Sequence, residues 1–243
     1  MSTIGYFGDS FCESRDPHSW CVLLAEKLGH DVTHWGRGGA SIWNTFIELE
    51  TLLKANRLPD TMVFCWTEPY RLYHPSVPLA KGAVPYPGPD QNLFKAADMY
   101  YVYLQDFRRD ELAYKYALQW FDQMVLPKVK DKKIIQMWSM RPFELAGVEC
   151  NIELKTGTFI DESMLEFAWG GKRPGSDFKF DINLANHMTT EQNQQWADKV
   201  YDRISYEVRT GIDNFHRCTL RGDHGLLHTC HRALLQIVAN KDL

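Results

Sequence analysis

The sequence predicts an α/β fold built on a parallel sheet, and three observations carry that expectation. Short apolar runs that read as buried strands recur early in the chain, each stops in a polar or glycine-rich loop, and helical periodicity follows the first two. Thr3-Ile4-Gly5-Tyr6-Phe7 is the first run; Gly8-Asp9-Ser10 breaks it, and a helical pattern then reaches Leu28. Asp31 to Trp35 is the second, ending in Gly36-Arg37-Gly38-Gly39-Ala40-Ser41 before a helical stretch from Ile42 to Asn56. Pro59-Asp60 introduces the third, Thr61 to Trp66, which finishes at Thr67-Glu68-Pro69.

Beyond the third strand the order is interrupted. Tyr70 to Asp98 holds five prolines and few periodic apolar residues, the composition of a long excursion that serves as a lid or binding loop. Met99 to Val125 returns to helical periodicity with many aromatics, Lys133 to Trp138 reads as a fourth strand, and residues 143–185 alternate short apolar segments with Gly and Pro. Thr190 to Val208 is an amphipathic helix capped by Thr189 or Thr190, and the tail from Gly211 ends in the apolar helical run Ala233 to Val238. There is no internal repeat.

The 243 residues suit one large domain. With 27 Lys+Arg against 31 Asp+Glu the formal net charge is −4, which excludes a strongly basic nucleic-acid binder. No run approaches the length of a membrane helix, and residues 1–20 lack the basic start and apolar core of a signal peptide. The six cysteines are scattered without Cys-x-x-Cys spacing and read as reduced thiols, so a cytoplasmic location is expected. Aromatics at 13% are on the high side. Such rings fill cores and also line sugar and aromatic ligand pockets.

In open α/β sheets ligands sit at the carboxyl ends of the strands, which singles out Gly8-Asp9-Ser10, Gly36 to Ser41, Thr67-Glu68 and Ser139-Met140-Arg141. Ser10 is expected where a helix begins, its hydroxyl and N–H at the positive end of the dipole, a setting that favours an oxyanion. Taken alone, a serine so placed is more often only a cap.

The combination points further. Ile4-Gly5-Tyr6-Phe7-Gly8-Asp9-Ser10-Phe11 resembles the first block of the SGNH (GDSL) hydrolases, whose nucleophilic serine follows Gly-Asp after the first strand. His34-Trp35-Gly36-Arg37-Gly38-Gly39-Ala40-Ser41 resembles their second block, and Asn186-His187-Met188-Thr189 their last. The resemblance implies a three-layer α/β/α sandwich of flavodoxin-like kind and a serine esterase or acyl-transfer enzyme. In it Ser10 is the nucleophile, His187 the base, and the N–H groups of Ser10 and Gly39 the oxyanion donors. A serine hydroxyl needs such a base near neutral pH, and the tetrahedral oxyanion needs preorganised donors.

Two positions depart from the family pattern. Glu68 stands where the third block has an oxyanion-donating Asn. An ionised carboxylate cannot donate, which leaves Glu68 to be neutralised by Arg71 or Arg37 or to bind substrate, with Thr67 or a solvent molecule as third donor. Leu184 stands where the family has the Asp that orients the histidine. Asp181 and Asn183 are the nearest polar residues, Asp181 the preferred one, and a Ser–His dyad held by a backbone carbonyl is the alternative.

Other signals weigh less. The glycine loop lacks the Gly-Lys-Ser/Thr of a P-loop, and Ser41 occupies the third glycine of a dinucleotide fingerprint, so no cofactor is expected. Cys218, His224, His228, Cys230 and His231 have no standard zinc spacing, and no metal is expected. The aromatic run Tyr100, Tyr101, Tyr103, Phe107, Tyr114, Tyr116, Trp120, Phe121 reads as a helix packed on the sheet. The expected whole is a single domain over 1–243, with an insertion at about 70–98 and an extension at about 209–243. It would act without membrane or nucleic-acid partners on a small acyl ester, with a carbohydrate as the guessed alcohol and Asp9, Thr67, Glu68 and Arg71 around the substrate. The rival expectation, favoured by Glu68 and Leu184, is a catalytically impaired scaffold that binds.

Overall fold

The computed structural model describes residues 1–79, 91–140, 152–168 and 188–210, with side chains to 205. Five strands are described: β1 (Ser2–Gly8), β2 (His30–His34), β3 (Thr61–Trp66), β4 (Lys133–Trp138) and β5 (Thr158–Ser163). All pair in parallel, in the order β2-β1-β3-β4-β5. That is the flavodoxin-like strand order.

Period-2 alternation along the central strands creates two separate cores. β3 is buried at every position, as expected of a strand covered on both faces. Val63 and Cys65 join Ile4, Tyr6, Ile135 and Met137 beneath α1 (Trp20–Leu28) and α6 (Thr190–Thr210), which contribute Trp20, Leu24, Trp196 and Val200. Met62, Phe64 and Trp66 point the other way. They pack with Phe7, Ile134 and Trp138 against Ile42 and Leu49 of α2 (Ile42–Lys54) and Tyr114 and Leu118 of α4 (Phe107–Trp120). Helices on both faces of one parallel sheet make the three-layer α/β/α sandwich. Compact packing divides the chain into Met1–Tyr206 and Glu207–Leu243, and the sheet belongs wholly to the first unit.

The local chemistry explains where the elements depart from the sequence reading. The helix expected right after Ser10 is a single 3-10 turn, Ser10–Cys12, and α1 starts only at Trp20. Pro17 is the reason, since the residue before a proline is driven out of the α region; Ser19 then caps α1 by accepting from the Val22 N–H. The helix expected over 99–125 is two helices, α3 (Gln91–Tyr103) and α4. Asp106 caps α4 by accepting from the Arg109 N–H at 3.1 Å, and a π turn over Phe121–Val125 and a 3-10 turn over Leu126–Val129 follow it. α3 also reaches into the stretch assigned to the excursion.

β5 lay in the stretch that gave no element, because four of the six residues in its Thr-Phe-Ile-Asp-Glu-Ser are polar. It is an edge strand, followed directly by the short helix α5 (Met164–Ala168). The buried Asp122 carboxylate fixes the approach to it by accepting from the Lys155 and Thr156 N–H groups and from the Gln136 side chain. Of the two expected caps for α6, Thr189 serves, through reciprocal bonds with Gln192.

Two expected outcomes test this packing. Leu118 is fully buried, so Leu118→Ala should lower the free energy of unfolding by about 2–5 kcal/mol in urea titration. Burial pushes the thiols of Cys12, Cys21 and Cys65 above their ordinary pKa. Mass mapping after iodoacetamide treatment at pH 8 should therefore find these three unmodified in the native protein and modified in urea.

Candidate functional site

The strand order itself locates the site. The chain leaves β1 toward β2 on one side and returns to β3 on the other, so the loops at their carboxyl ends diverge and open a crevice between them. Gly8 and Cys65 are register partners at that end of the pair. The crevice is therefore bordered by Asp9-Ser10 from one strand and Thr67-Glu68 from the other.

Asp9 ties the two borders together. Its side chain is fully buried, and a buried carboxylate must be paired and hydrogen-bonded to persist. One oxygen accepts from the Phe11 N–H at 3.1 Å, capping the 3-10 turn that begins with Ser10. The other accepts from the Thr67 hydroxyl at 2.7 Å and faces Nη1 of Arg71 at 3.4 Å. Ser10 itself is half-buried at the crevice. Because its helix is one turn long, the macrodipole expected behind it is not there, and the local N–H groups are what remains to favour negative charge.

The glycine loop is laced to the same junction. The Arg37 N–H donates to the Gly8 carbonyl at 2.9 Å and the Gly36 N–H to the Cys12 carbonyl at 3.0 Å. A side chain at Gly36 would collide with the Cys12 sulfur, so only glycine allows this approach. Gly39 has φ 69° and faces Pro78, which a Cβ there would strike. Ser41 and Asn44 then form a capping box that starts α2.

Arg71 sits at the centre of these loops. Its side chain is only 8% exposed. Nε donates to Glu68 at 3.1 Å, Nη1 to the Ala40 carbonyl at 3.3 Å, and Nη2 points at the Met140 sulfur at 3.7 Å. Of the two arginines expected to neutralise Glu68, Arg71 is the one that does so. Arg37 turns instead to the Pro75 carbonyl at 2.9 Å.

The segment carrying Arg71 is clamped from α3. The Tyr101 hydroxyl lies 2.7 Å from the Leu79 carbonyl and 3.1 Å from that of Tyr70, and Leu72 bridges to Leu79. From α4, the Tyr114 hydroxyl donates to the Thr67 carbonyl. The aromatic run thus packs as expected, but the hydroxyls of Tyr101 and Tyr114 also fix the loop after β3. No spacing rule flags them, since their partners are carbonyls distant in the chain. A pocket of about 200 Å³ opens beside this loop, lined among others by Trp43, Glu68, Arg71, Tyr73, Tyr100 and Asp110.

The structure brings Asp9, Ser10, Gly39, Thr67, Glu68 and Arg71 to one end of the sheet. It buries Asp9 and Thr67 beneath the crevice, and the single Thr67 proton goes to Asp9, so Thr67 is no third oxyanion donor and neither residue is presented to a substrate. Glu68 and Arg71 do line the pocket. His187, Asp181, Asn183 and Leu184 lie outside the described residues, as do Arg141 and the tail from Gly211 with its Cys and His residues. Among the described residues no cluster of His, Cys, Asp and Glu fits a metal ion, and no helix is long and apolar enough to cross a membrane.

No protein-family model and no curated protein sequence matches the chain. Among solved structures it is similar to the psychrotrophic esterase EstA from Pseudoalteromonas sp., at 11% identity and a TM-score of 0.46 over 86% of this chain and 100% of that one. It is likewise similar to a G-D-S-L family protein from Desulfitobacterium hafniense DCB-2, at 11% identity and a TM-score of 0.43 over 84% and 99% of the two chains. A third is the acetyl xylan esterase Est2A from the rumen bacterium Butyrivibrio proteoclasticus, at 12% identity and a TM-score of 0.44 over 86% and 64%.

Two measurements probe the loops. Gly39→Ala combines a left-handed φ with a collision against Pro78, and should cost about 1–3 kcal/mol of stability in urea titration. Burial pushes the Tyr101 hydroxyl up to about 12 from its ordinary value near 10. A raised acid pKa in the folded state means that the unfolded chain loses its proton first, so this contribution is intact below pH 10 and declines as pH climbs toward 12. Tyr101→Phe should flatten that part of the stability curve.

Proposed function

We propose that the protein is a serine hydrolase, an esterase or O-acyl deacylase, with Ser10 as nucleophile. The observation that carries this reading is the junction at the β1/β3 switch point, where a buried Asp9 fixes the turn that presents Ser10 and the glycine loop is laced against the same turn. Preorganised backbone beside a half-buried serine is what acyl transfer requires.

The reaction follows from the groups assigned. Ser10 Oγ bonds to the carbonyl carbon of an ester, the carbonyl electron pair moves onto oxygen, and His187 takes the serine proton. The Ser10 and Gly39 N–H groups hold the oxyanion. Collapse expels the alcohol, which receives the proton from His187, and water then releases the acyl group by the same steps in reverse order. Asp181 is the group assigned to orient His187. For the substrate, the pocket with Trp43 and Tyr73, which are 47% and 40% exposed, suits the faces of a hydroxylated ring, with Glu68 and Asp110 to accept from its hydroxyls. A short acyl group on a carbohydrate-like alcohol fits that lining.

One observation favours a second reading. Glu68, paired with Arg71, puts a carboxylate on the wall of the pocket, and a site that repels an oxyanion would bind without turnover.

One experiment separates the two. Under the hydrolase reading a fluorophosphonate probe labels Ser10, Ser10→Ala lowers hydrolysis of a short-chain aryl ester by at least about 10³-fold, and kcat/KM falls below about pH 6.5 as His187 takes a proton. An unlabelled Ser10 with no ester hydrolysis supports the binding scaffold instead, and activity that survives Ser10→Ala overturns Ser10 as the nucleophile.

A further inference from the structure

The geometry points to Arg71 as the third oxyanion donor, the cationic group that takes the place left by the absence of a side-chain amide at Glu68. The inference rests on the hydrolase reading and asks which side chain stabilises the charge that reading creates.

The other candidates near the crevice are already engaged. Glu68 as a carboxylate offers only acceptors, the one Thr67 proton goes to the buried Asp9 at 2.7 Å, and the Arg37 guanidinium donates to Pro75. Arg71 lies between the neighbours of both proposed backbone donors. Its Nη1 contacts Asp9, the residue before Ser10, at 3.4 Å, and Ala40, the residue after Gly39, at 3.3 Å. Arg71 is also among the residues that line the pocket beside this loop.

Its hydrogen bonds are unequal in a way that suits the role. Nε and Nη1 face a carboxylate and a carbonyl, while Nη2 points at the Met140 thioether at 3.7 Å. A thioether is a weak acceptor, and an oxyanion would displace it at little cost. A guanidinium donates to anionic oxygen through strong charge-assisted bonds and keeps its proton at any pH of interest. No proton moves to or from Arg71 in this step; it holds the oxygen that Ser10 attack has charged. Glu68 and Asp9 keep the side chain in place, and the segment around it is pinned by Tyr101.

The test uses the full-length protein, p-nitrophenyl acetate as substrate, and phenylboronic acid, whose tetrahedral anionic adduct on a serine resembles the intermediate. Arg71→Lys keeps a positive charge against Asp9 but removes the planar fork. It should lower kcat by about 10²-fold or more, leave KM within about twofold, and raise the boronic acid inhibition constant by the same factor as kcat falls, alongside the lower thermal midpoint that loss of the Arg71 contacts brings. Glu68→Gln removes the competing carboxylate and should raise kcat severalfold. If Arg71→Lys keeps kcat and boronate affinity, or if Glu68→Gln loses as much as Arg71→Lys, the pair is a positioning clip and the inference is overturned. Should Arg71→Lys not fold, Arg71→Gln takes its place, and wild-type boronate affinity in that variant overturns the inference. Wild-type protein that a fluorophosphonate does not label at Ser10 overturns the hydrolase reading and this inference with it; labelled wild type with an unaffected Arg71→Lys overturns this inference only.

Discussion

A carboxylate with no access to water is the constraint around which this end of the molecule is arranged. Asp9 is fully buried, and an ionised group in that position persists only if other groups come to it. A backbone N–H, a hydroxyl and a guanidinium do so, from the turn after β1, the end of β3 and the loop beyond it. Removing one partner of such a pair typically costs about 3–5 kcal/mol. The carboxylate therefore penalises any separation of these three chain segments. The glycine loop is drawn into the same arrangement by backbone bonds to Gly8 and Cys12.

That local order depends on the sheet beneath it. β1 and β3 are neighbours only because the strand order reverses direction between them, and they align only because the two cores hold both faces of the central strands. The face beneath α2 and α4 is dense in rings, with Phe64 stacked on Trp66 and Phe46 on Phe121. The Trp66 N–H reaches Gln136, which reaches Asp122, so this polar chain through the core is hydrogen-bonded. A rigid floor of this kind is what lets short loops hold a reactive geometry.

Arg71 ties the loop after β3 to the glycine loop, through Glu68 and the Ala40 carbonyl. The arginine brings a charge that has to be balanced, and Glu68 and Asp9 balance it. In this setting Glu68, read by itself as a defect of the site, is half of an ion pair, and the pair with Arg71 is the unit to be judged.

Much of this was legible in the sequence. The strands Thr61–Trp66 and Lys133–Trp138 were legible as short, largely apolar runs, β1 and α2 came within two residues of their observed limits, and the placing of Asp9, Ser10, Gly39 and Glu68 at one end followed from the rule that sites form at the carboxyl ends of the strands. These are local patterns, and local patterns are what residue order encodes most directly. The edge strand β5, the break at Asp106 and the late start of α1 were harder. Each depends on a cap, a proline or a mostly polar edge whose effect appears only when the neighbouring element is in place. The sequence by itself determined the alternation of strand and helix and placed a Gly-Asp-Ser turn after the first strand. Only the tertiary structure decided that Asp9 is an internal anchor, that the Thr67 proton belongs to it, and that Arg71 rather than Arg37 meets Glu68. Those contacts join Thr67 to Asp9, 58 positions apart, and Arg71 to Glu68, 3 apart, and which of several possible partners a charge takes is settled by burial and distance.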